Sequence, residues 1–306
     1  MLDFIILTGP TAVGKTACAE QLARRINAEI ITADSQTVYR ELSIGTAKVS
    51  PHGDIRHHLI NIRDVHESYD VSEFITDVER CMHEIHSRGK HVIISGGTPM
   101  YMQKLTQGLC EAPGVFHDIR SELTARWENG QSQQIRVELE SVDPESAKRI
   151  HPNDAQRSIR ALEVWLGTKK TLTEWHKTTT ESPYKYLYCI LNRPRELLYQ
   201  RINQRVDEMI DQGWINEVAL LLEKYTGSEK AFESLGYRTI IQHLRGDIPY
   251  DEMLHIIKRD TRHFARRQLI WFRKVTDAVW YDCEKLNEIQ VVDMISDVIQ
   301  GKGGLR

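Results

Sequence analysis

The sequence predicts an α/β protein, a doubly wound parallel sheet interrupted by a small all-helical insertion. Three observations carry this. Short runs of β-branched residues alternate with helical patterns through the first part of the chain and again after residue 180, the mark of a parallel sheet covered on both faces. The glycine-rich segment Gly9-Pro10-Thr11-Ala12-Val13-Gly14-Lys15-Thr16 follows the first such run and opens a helical pattern. From about Phe116 to Thr180 the alternation stops, and charged, helix-compatible sequence takes over.

Taken in order, Phe4-Ile5-Ile6-Leu7 reads as the first strand, and Lys15 to Ile26 as the helix after the glycine-rich loop. Glu29 to Ala33 reads as a second strand, Val71 to Arg88 as a helix, and His91 to Ser95 as a third strand. The insertion has breaks near Asn129-Gly130, Asp143-Pro144, His151-Pro152 and Gly167. The pattern returns with a strand over Tyr184 to Leu191 and one long helix from Pro194 to about Tyr225, where proline suits a first helical turn because its missing N–H costs nothing there. A second long helix spans about Tyr250 to Lys274, and Val279-Trp280-Tyr281 reads as a last strand. The expected organisation is therefore a P-loop kinase-like core over 1–115 and 181–300, a helical insertion over 116–180, and a frayed, disordered tail at 301–306.

Composition narrows the function. With 306 residues and 41% hydrophobic content, the chain can bury a large core. No apolar run approaches the roughly 18 residues that span a bilayer, and the N-terminus lacks a signal-peptide pattern, so a cytoplasmic protein with no membrane partner is expected. Cys18, Cys81, Cys110, Cys189 and Cys283 are scattered and never at metal-ligand spacing, which predicts reduced thiols. The net charge of -3 carries no global nucleic-acid signal. Between Lys258 and Lys274, however, seven Lys/Arg stand against one acid, Asp260, and this local excess marks a place for an anionic partner.

The segment from Gly9 to Thr16 has the G-x-x-x-x-G-K-[ST] pattern of a phosphate-binding loop. Its glycines let backbone N–H groups turn around phosphate oxygens while the helix N-terminus adds partial positive charge. Lys15 neutralises the outer phosphates, and the Thr16 hydroxyl can be offered to Mg2+. Asp34 directly follows the second strand, at the sheet edge where open α/β proteins bind ligands, and suits a general base. A turn cap or an indirect magnesium partner are its other readings. The turn Ser95-Gly96-Gly97-Thr98-Pro99 should reach the same edge, with a hydroxyl where many NTPases carry an acid.

These pieces and their spacing resemble the tRNA dimethylallyltransferase family. The resemblance continues through Asp34-Ser35-Gln36-Thr37-Val38-Tyr39, Gly45-Thr46-Ala47-Lys48, His57-His58-Leu59-Ile60 and Gly96-Gly97-Thr98 with Tyr101. It extends to His151-Pro152-Asn153-Asp154-Ala155-Gln156-Arg157 with Arg160-Ala161-Leu162-Glu163-Val164, to Gly236-Tyr237-Arg238, and to Arg266-Arg267-Gln268 with Trp271-Phe272-Arg273. It implies transfer of a dimethylallyl group from its diphosphate to the exocyclic amine of the adenine just 3′ of the anticodon, with Mg2+ as cofactor, tRNA as partner and a monomeric enzyme. Asp34 would be the base, Arg205 would join Lys15 on the leaving diphosphate, and Thr98 would hydrogen-bond near donor or base. Ser35, Gln36 and Thr37 would lie by the flipped base. Gln156, Arg157 and Arg160 on the insertion would grip tRNA, as would Gly236, Tyr237, Arg238, Arg262 and Arg266 farther on. Family members often carry Gln at the position of Thr37, Asp at Asn61 and Gly-Leu at Pro99-Met100, which leaves the contact at the base open between Thr37 and Gln36. An adenylate isopentenyltransferase or a small-molecule P-loop kinase are the alternative enzymes.

Overall fold

A computed structural model describes residues 2–49, 53–110, 112–179 and 181–301. The chain divides into two compact units, Met1–Lys104 with Pro183–Arg306, and Leu105–Ser182. The first is built on a six-stranded sheet of β1 (Phe4–Thr8), β2 (Ala28–Thr32), β3 (His57–His58), β4 (His91–Gly96), β5 (Tyr186–Asn192) and β6 (Ala278–Asp282), in the order β3-β2-β4-β1-β5-β6. All neighbouring strands pair in parallel. Thr8 pairs with Gly96 and Thr32 with Ser95, so the chain leaves β1, β2 and β4 at one common edge. That register brings Gly9, Asp34 and Gly97 together although they are far apart in sequence.

Helices cover this sheet: α1 (Lys15–Ile26), α2 (Val71–Ser87) and the start of α3 (Pro99–Gln107). In α1 the buried positions Cys18, Ala19, Leu22, Ala23 and Ile26 recur at helical spacing and pack with Ile5, Leu7, Ile30 and Ile93 of the strands. Asn27, in the left-handed region at φ 52°, ends the helix. Asp70 and Glu73 form a reciprocal capping box that starts α2. The thiols are all free, and burial pushes Cys18 and Cys189 up to about 12, which leaves them inert.

The second unit contains α4 (His117–Glu128), α5 (Ser132–Val142), α6 (Pro144–Arg149), α7 (Ala155–Thr168) and α8 (Leu172–Lys177). Leu123, Ile135, Ile159 and Leu162 form one apolar cluster, and Leu139, Ala147, Ile150 and Ala161 another. The unit begins at Leu105, earlier than the break at Phe116 suggests.

After β5 the first unit resumes with α9 (Arg195–Asp211), α10 (Trp214–Leu222), a short 3-10 turn at Lys230–Glu233, α11 (Tyr237–Leu244), α12 (Tyr250–Phe272) and α13 (Glu288–Ile299). The single helix expected from Pro194 to Tyr225 is in fact two. Gly213 takes φ 95°, which a helix interior forbids, and the chain restarts there as α10. Neither the two-residue β3 nor α13 was expected; α13 packs Val291, Val292 and Ile295 into the core beside α1. Among the described residues no helix is long and apolar enough to cross a membrane. The expected tail lies outside the described residues beyond Gly301.

Candidate active site

The loop from Gly9 to Thr16 joins β1 to α1. Gly14 caps α1 without any side-chain hydrogen bond, and the first turn holds no acid. The N–H groups and positive dipole end of α1 are therefore left for an anion. Arginines grip the loop's carbonyls from the far side: Arg201 Nε donates to Ala12 O at 2.8 Å and Arg193 Nε to Val13 O at 3.0 Å. Gln268 of α12, 2% exposed, accepts from Thr11 N at 2.8 Å and donates to Gly97 O at 2.6 Å. One side chain thus ties the phosphate loop to the turn after β4. That turn needs glycine, because a Cβ at Gly96 would meet Ala33 O at 2.0 Å.

Three charged groups converge here. Lys15 Nζ donates to Pro10 O at 2.9 Å, and its pKa is pulled down to about 7, first by burial and then by the charge of Arg205, with Asp34 opposing. Arg205 points inward from α9 and hydrogen-bonds to no described residue; burial lowers its pKa, and Asp34 is the largest influence in the other direction. The surface partners it could have had are otherwise engaged, Asp207 with Lys258 at 2.6 Å and Glu208 with Gln204 at 2.8 Å. Asp34 accepts from Gln36 N at 2.8 Å through Oδ1, so it does act as a turn cap, and that same bond orients the carboxylate. Thr98 Oγ1 accepts from Ser35 N at 3.2 Å, which holds the neighbouring backbone.

Two cavities meet at these groups, sharing Thr11, Asp34, Thr46, Ala47, Arg205 and Phe264. The smaller, about 120 Å³, is lined by Lys15, Thr16, Thr32, Thr37, His57 and Ser95. The larger, about 320 Å³, has Ser35, Gln36 and Thr98 among its polar residues and an apolar wall of Ile202, Val206, Met209, Trp214 and Leu235. The positions 202, 205, 206 and 209 are one face of α9, and 261, 264 and 268 one face of α12. Phe264 is half-buried and lines both cavities, whereas Ile257, seven residues earlier on the same helix, is core.

Thr37 and Gln36 fall on different cavities. Thr37 is buried on the smaller one; Gln36 lines the larger, donates to Ser35 Oγ at 3.3 Å and accepts from the Ser234 hydroxyl. Gly236 and Tyr237 are corrected from tRNA contacts to scaffold. Tyr237 is fully buried, with its hydroxyl donating to Glu217 at 2.7 Å, and a Cβ at Gly236 would meet the Trp214 ring at 2.2 Å. Arg238 is exposed, paired with Glu233 at 3.1 Å. Arg262 is spent on Asn203 at 2.7 Å, while Arg266 is exposed. On α7, Gln156 and Arg157 are exposed, Arg157 pairing with the helix-capping Asp154. Arg160 differs: it donates to Gly114 O at 2.9 Å and Pro113 O at 2.5 Å, and lies 3.3 Å from the buried Glu163, so its guanidinium serves the insertion's own fold. Sequence reasoning quoted Gln268 only as part of a motif, without a role, and missed Arg193, Arg201 and Trp214. A glutamine embedded in the basic Arg266-Arg267 run was the one signal of these in plain view.

Thr16 is exposed at the mouth of the smaller cavity. Among the described residues no three His, Cys, Asp or Glu side chains gather to hold a metal alone, so a divalent ion would lean on ligand phosphates, as Mg2+ commonly does. The donors there fit such an ion: the Thr16 hydroxyl, the Asp34 carboxylate and two buried hydroxyls with no hydrogen-bond partner, those of Thr32 and Thr37.

Residues 37–275 match the IPP transferase family. A tRNA dimethylallyltransferase of Salinibacter ruber is 39% identical over 96% of this chain and 92% of its own length. One of Thermotoga maritima is 42% identical over 92% of each. Among solved structures, the tRNA isopentenylpyrophosphate transferase of Bacillus halodurans is similar with a TM-score of 0.71 at 34% identity, covering 98% of this chain and 96% of that one. A eukaryotic dimethylallyltransferase acting on tRNA gives a TM-score of 0.86 at 26% identity, over 99% of this chain and 81% of that one. With a phosphate loop, an inward arginine and an oriented carboxylate at the junction of two cavities, and with relatives of this kind along nearly its whole length, the chain belongs to the tRNA dimethylallyltransferases of the IPP transferase family.

Proposed function

We propose that this chain moves the dimethylallyl group of dimethylallyl diphosphate onto N6 of the adenosine 3′-adjacent to the anticodon, releasing diphosphate. The observation that carries this is the junction itself: Asp34, Arg205 and Thr11 border both cavities. The smaller cavity, with Lys15 and Thr16, suits the diphosphate end of the donor. The larger, apolar on one wall and polar on the other, suits a purine. A stacked loop base reaches Asp34 only by flipping out of the stack.

The lone pair of an adenine amine is delocalised into the ring, so the amine attacks well only if its proton is taken as the bond forms. Asp34 accepts that proton while N6 bonds to C1 of the donor. The C1–O bond breaks with its electrons going to the diphosphate, and the growing negative charge meets Lys15, Arg205 and the N–H groups of the α1 terminus. Bound Mg2+ supplies further neutralisation of the diphosphate oxygens, with the Thr16 hydroxyl as the chain's ligand to it. Thr98, through Ser35 N, keeps the Asp34 turn in place. Ser35 and Gln36 border the base, and Gln156, Arg157, Arg238 and Arg266 offer exposed groups to the tRNA. The enzyme acts as a cytoplasmic monomer in this reading.

The test supplies Mg2+ and dimethylallyl diphosphate with either unmodified tRNA or AMP, followed by mass spectrometry of the nucleosides. A prenylated adenosine in tRNA is expected. Prenylated AMP beside untouched tRNA would sink the reading, and ATP consumption with a phosphorylated acceptor would indicate a kinase.

A further inference from the structure

Two buried hydroxyls bordering the smaller cavity have no hydrogen-bond partner among the described residues: Oγ1 of Thr32 and Oγ1 of Thr37. The chemistry assigned to Asp34, Lys15 and Arg205 uses neither of them. Buried polar groups in folded proteins are almost always satisfied, so two orphans around one small space call for a polar occupant.

Their placement is set by the fold. Alternation along β2 puts Ile30 and Thr32 on one face, with Asp34 continuing that row. His57 of β3 pairs in register with Ile30, and α1 presents Thr16 and Ala19, three apart, toward the same cavity. His57 Nε2 is itself paired with Glu20 Oε1 at 3.3 Å. The two free hydroxyls therefore border the same space as the Thr16 hydroxyl and the Asp34 carboxylate.

We infer that the Thr32 and Thr37 hydroxyls hold the water shell of the divalent cation that Thr16 and the donor's diphosphate bind. The inference rests on the cation reading above. Mg2+ sheds its waters reluctantly and keeps several of them when phosphates and one or two protein oxygens complete its shell. Hydroxyl oxygens can orient those waters without carrying charge that would compete with the diphosphate for the metal. The Thr16 hydroxyl alone would give the ion position; the pair gives its shell direction.

The test uses Mn2+ as the probe with inorganic diphosphate, read by electron paramagnetic resonance of free and bound Mn2+. The Thr32→Val/Thr37→Val pair keeps the shape and removes both hydroxyls. Its Mn2+ Kd in the presence of diphosphate is expected to rise about tenfold, while Thr32→Ser/Thr37→Ser stays near wild type. Diphosphate binding in EDTA should be the same in all three proteins, and the valine pair should melt no lower than wild type, since unpartnered hydroxyls become methyls. Unchanged Mn2+ affinity in the valine pair overturns this inference alone. Equal loss of diphosphate binding in EDTA also overturns it, because the hydroxyls would then touch the anion directly. If wild type with diphosphate binds no Mn2+, the cation reading under the proposed function falls as well.

Discussion

The catalytic unit and the helical insertion are both rich in charge, but they treat it in opposite ways. In the insertion, Asp143 is fully enclosed and spends both oxygens on Ser146 N, Thr173 N and the Thr173 hydroxyl. Glu163, also fully buried, accepts from Phe116 N at 2.7 Å and pairs with Arg120 at 2.6 Å and Arg160 at 3.3 Å. Around the phosphate loop, Arg193, Arg201 and Gln268 are similarly occupied, but their work leaves Lys15, Arg205 and the α1 terminus facing a cavity. A charge satisfied inside its own unit builds scaffold. A charge held in place while its partner is withheld builds a site.

The sharpest way to break this contrast is Asp34→Asn. Turnover in single-turnover quench assays should drop about 10²–10⁴-fold, the usual contribution of a positioned base, with diphosphate affinity kept. An unchanged chemical step would remove Asp34 from the role of base.

The next effect concerns Lys15. Because its pKa in the free protein is pulled down to about 7, the ammonium is lost as pH rises through that value, and an anion must restore it on binding. Diphosphate affinity should therefore fall about fivefold between neutral pH and one unit above it, approaching the tenfold per unit of a full titration only at higher pH, with proton uptake visible by calorimetry in buffers of different ionisation enthalpy. Both signals should vanish in Lys15→Met. Proton uptake that persists there would assign the titration to another group.

A smaller effect separates two arginines on one helix. Arg160→Ala should cost about 1–3 kcal/mol of stability through lost charged hydrogen bonds, seen as a lower melting temperature, with a far smaller change in tRNA affinity once the protein is folded. Arg157→Ala should leave the melting temperature unchanged, weaken tRNA binding a few-fold and flatten its salt dependence by about one phosphate contact. Reversed outcomes would mean that Arg160 reaches the RNA and Arg157 belongs to the fold.

Much of this was legible in the sequence because local chemistry dictated it. The strand before Gly9, the helix from Lys15 and the carboxylate just beyond β2 each follow from hydrophobic period and motif spacing. Legibility failed where tertiary packing decided. Tyr237 carries a hydroxyl in a motif beside Arg238 and reads as a contact, yet its hydroxyl closes onto Glu217, which also accepts from Ser43 N and Ile44 N. Gly213 was visible as a glycine, but apolar periodicity continuing through Val218 and Leu221 masked the break it makes. The two residues of β3 carry no period at all; they are a strand only because Ile30 and Ile31 lie beside them.

The amide of Gln268 has a consequence for how this lineage of chains can change length. It meets Thr11 and Gly97 at once from α12, whose other residues at 261 and 264 line the cavities. Each residue added to or removed from a helix turns everything beyond it by about 100°. A single insertion between Thr261 and Gln268 would swing the amide away from both turns while Phe264 was also displaced. This stretch of α12 is thus a ruler whose graduations cannot be shifted, and sequence length can drift only beyond its ends.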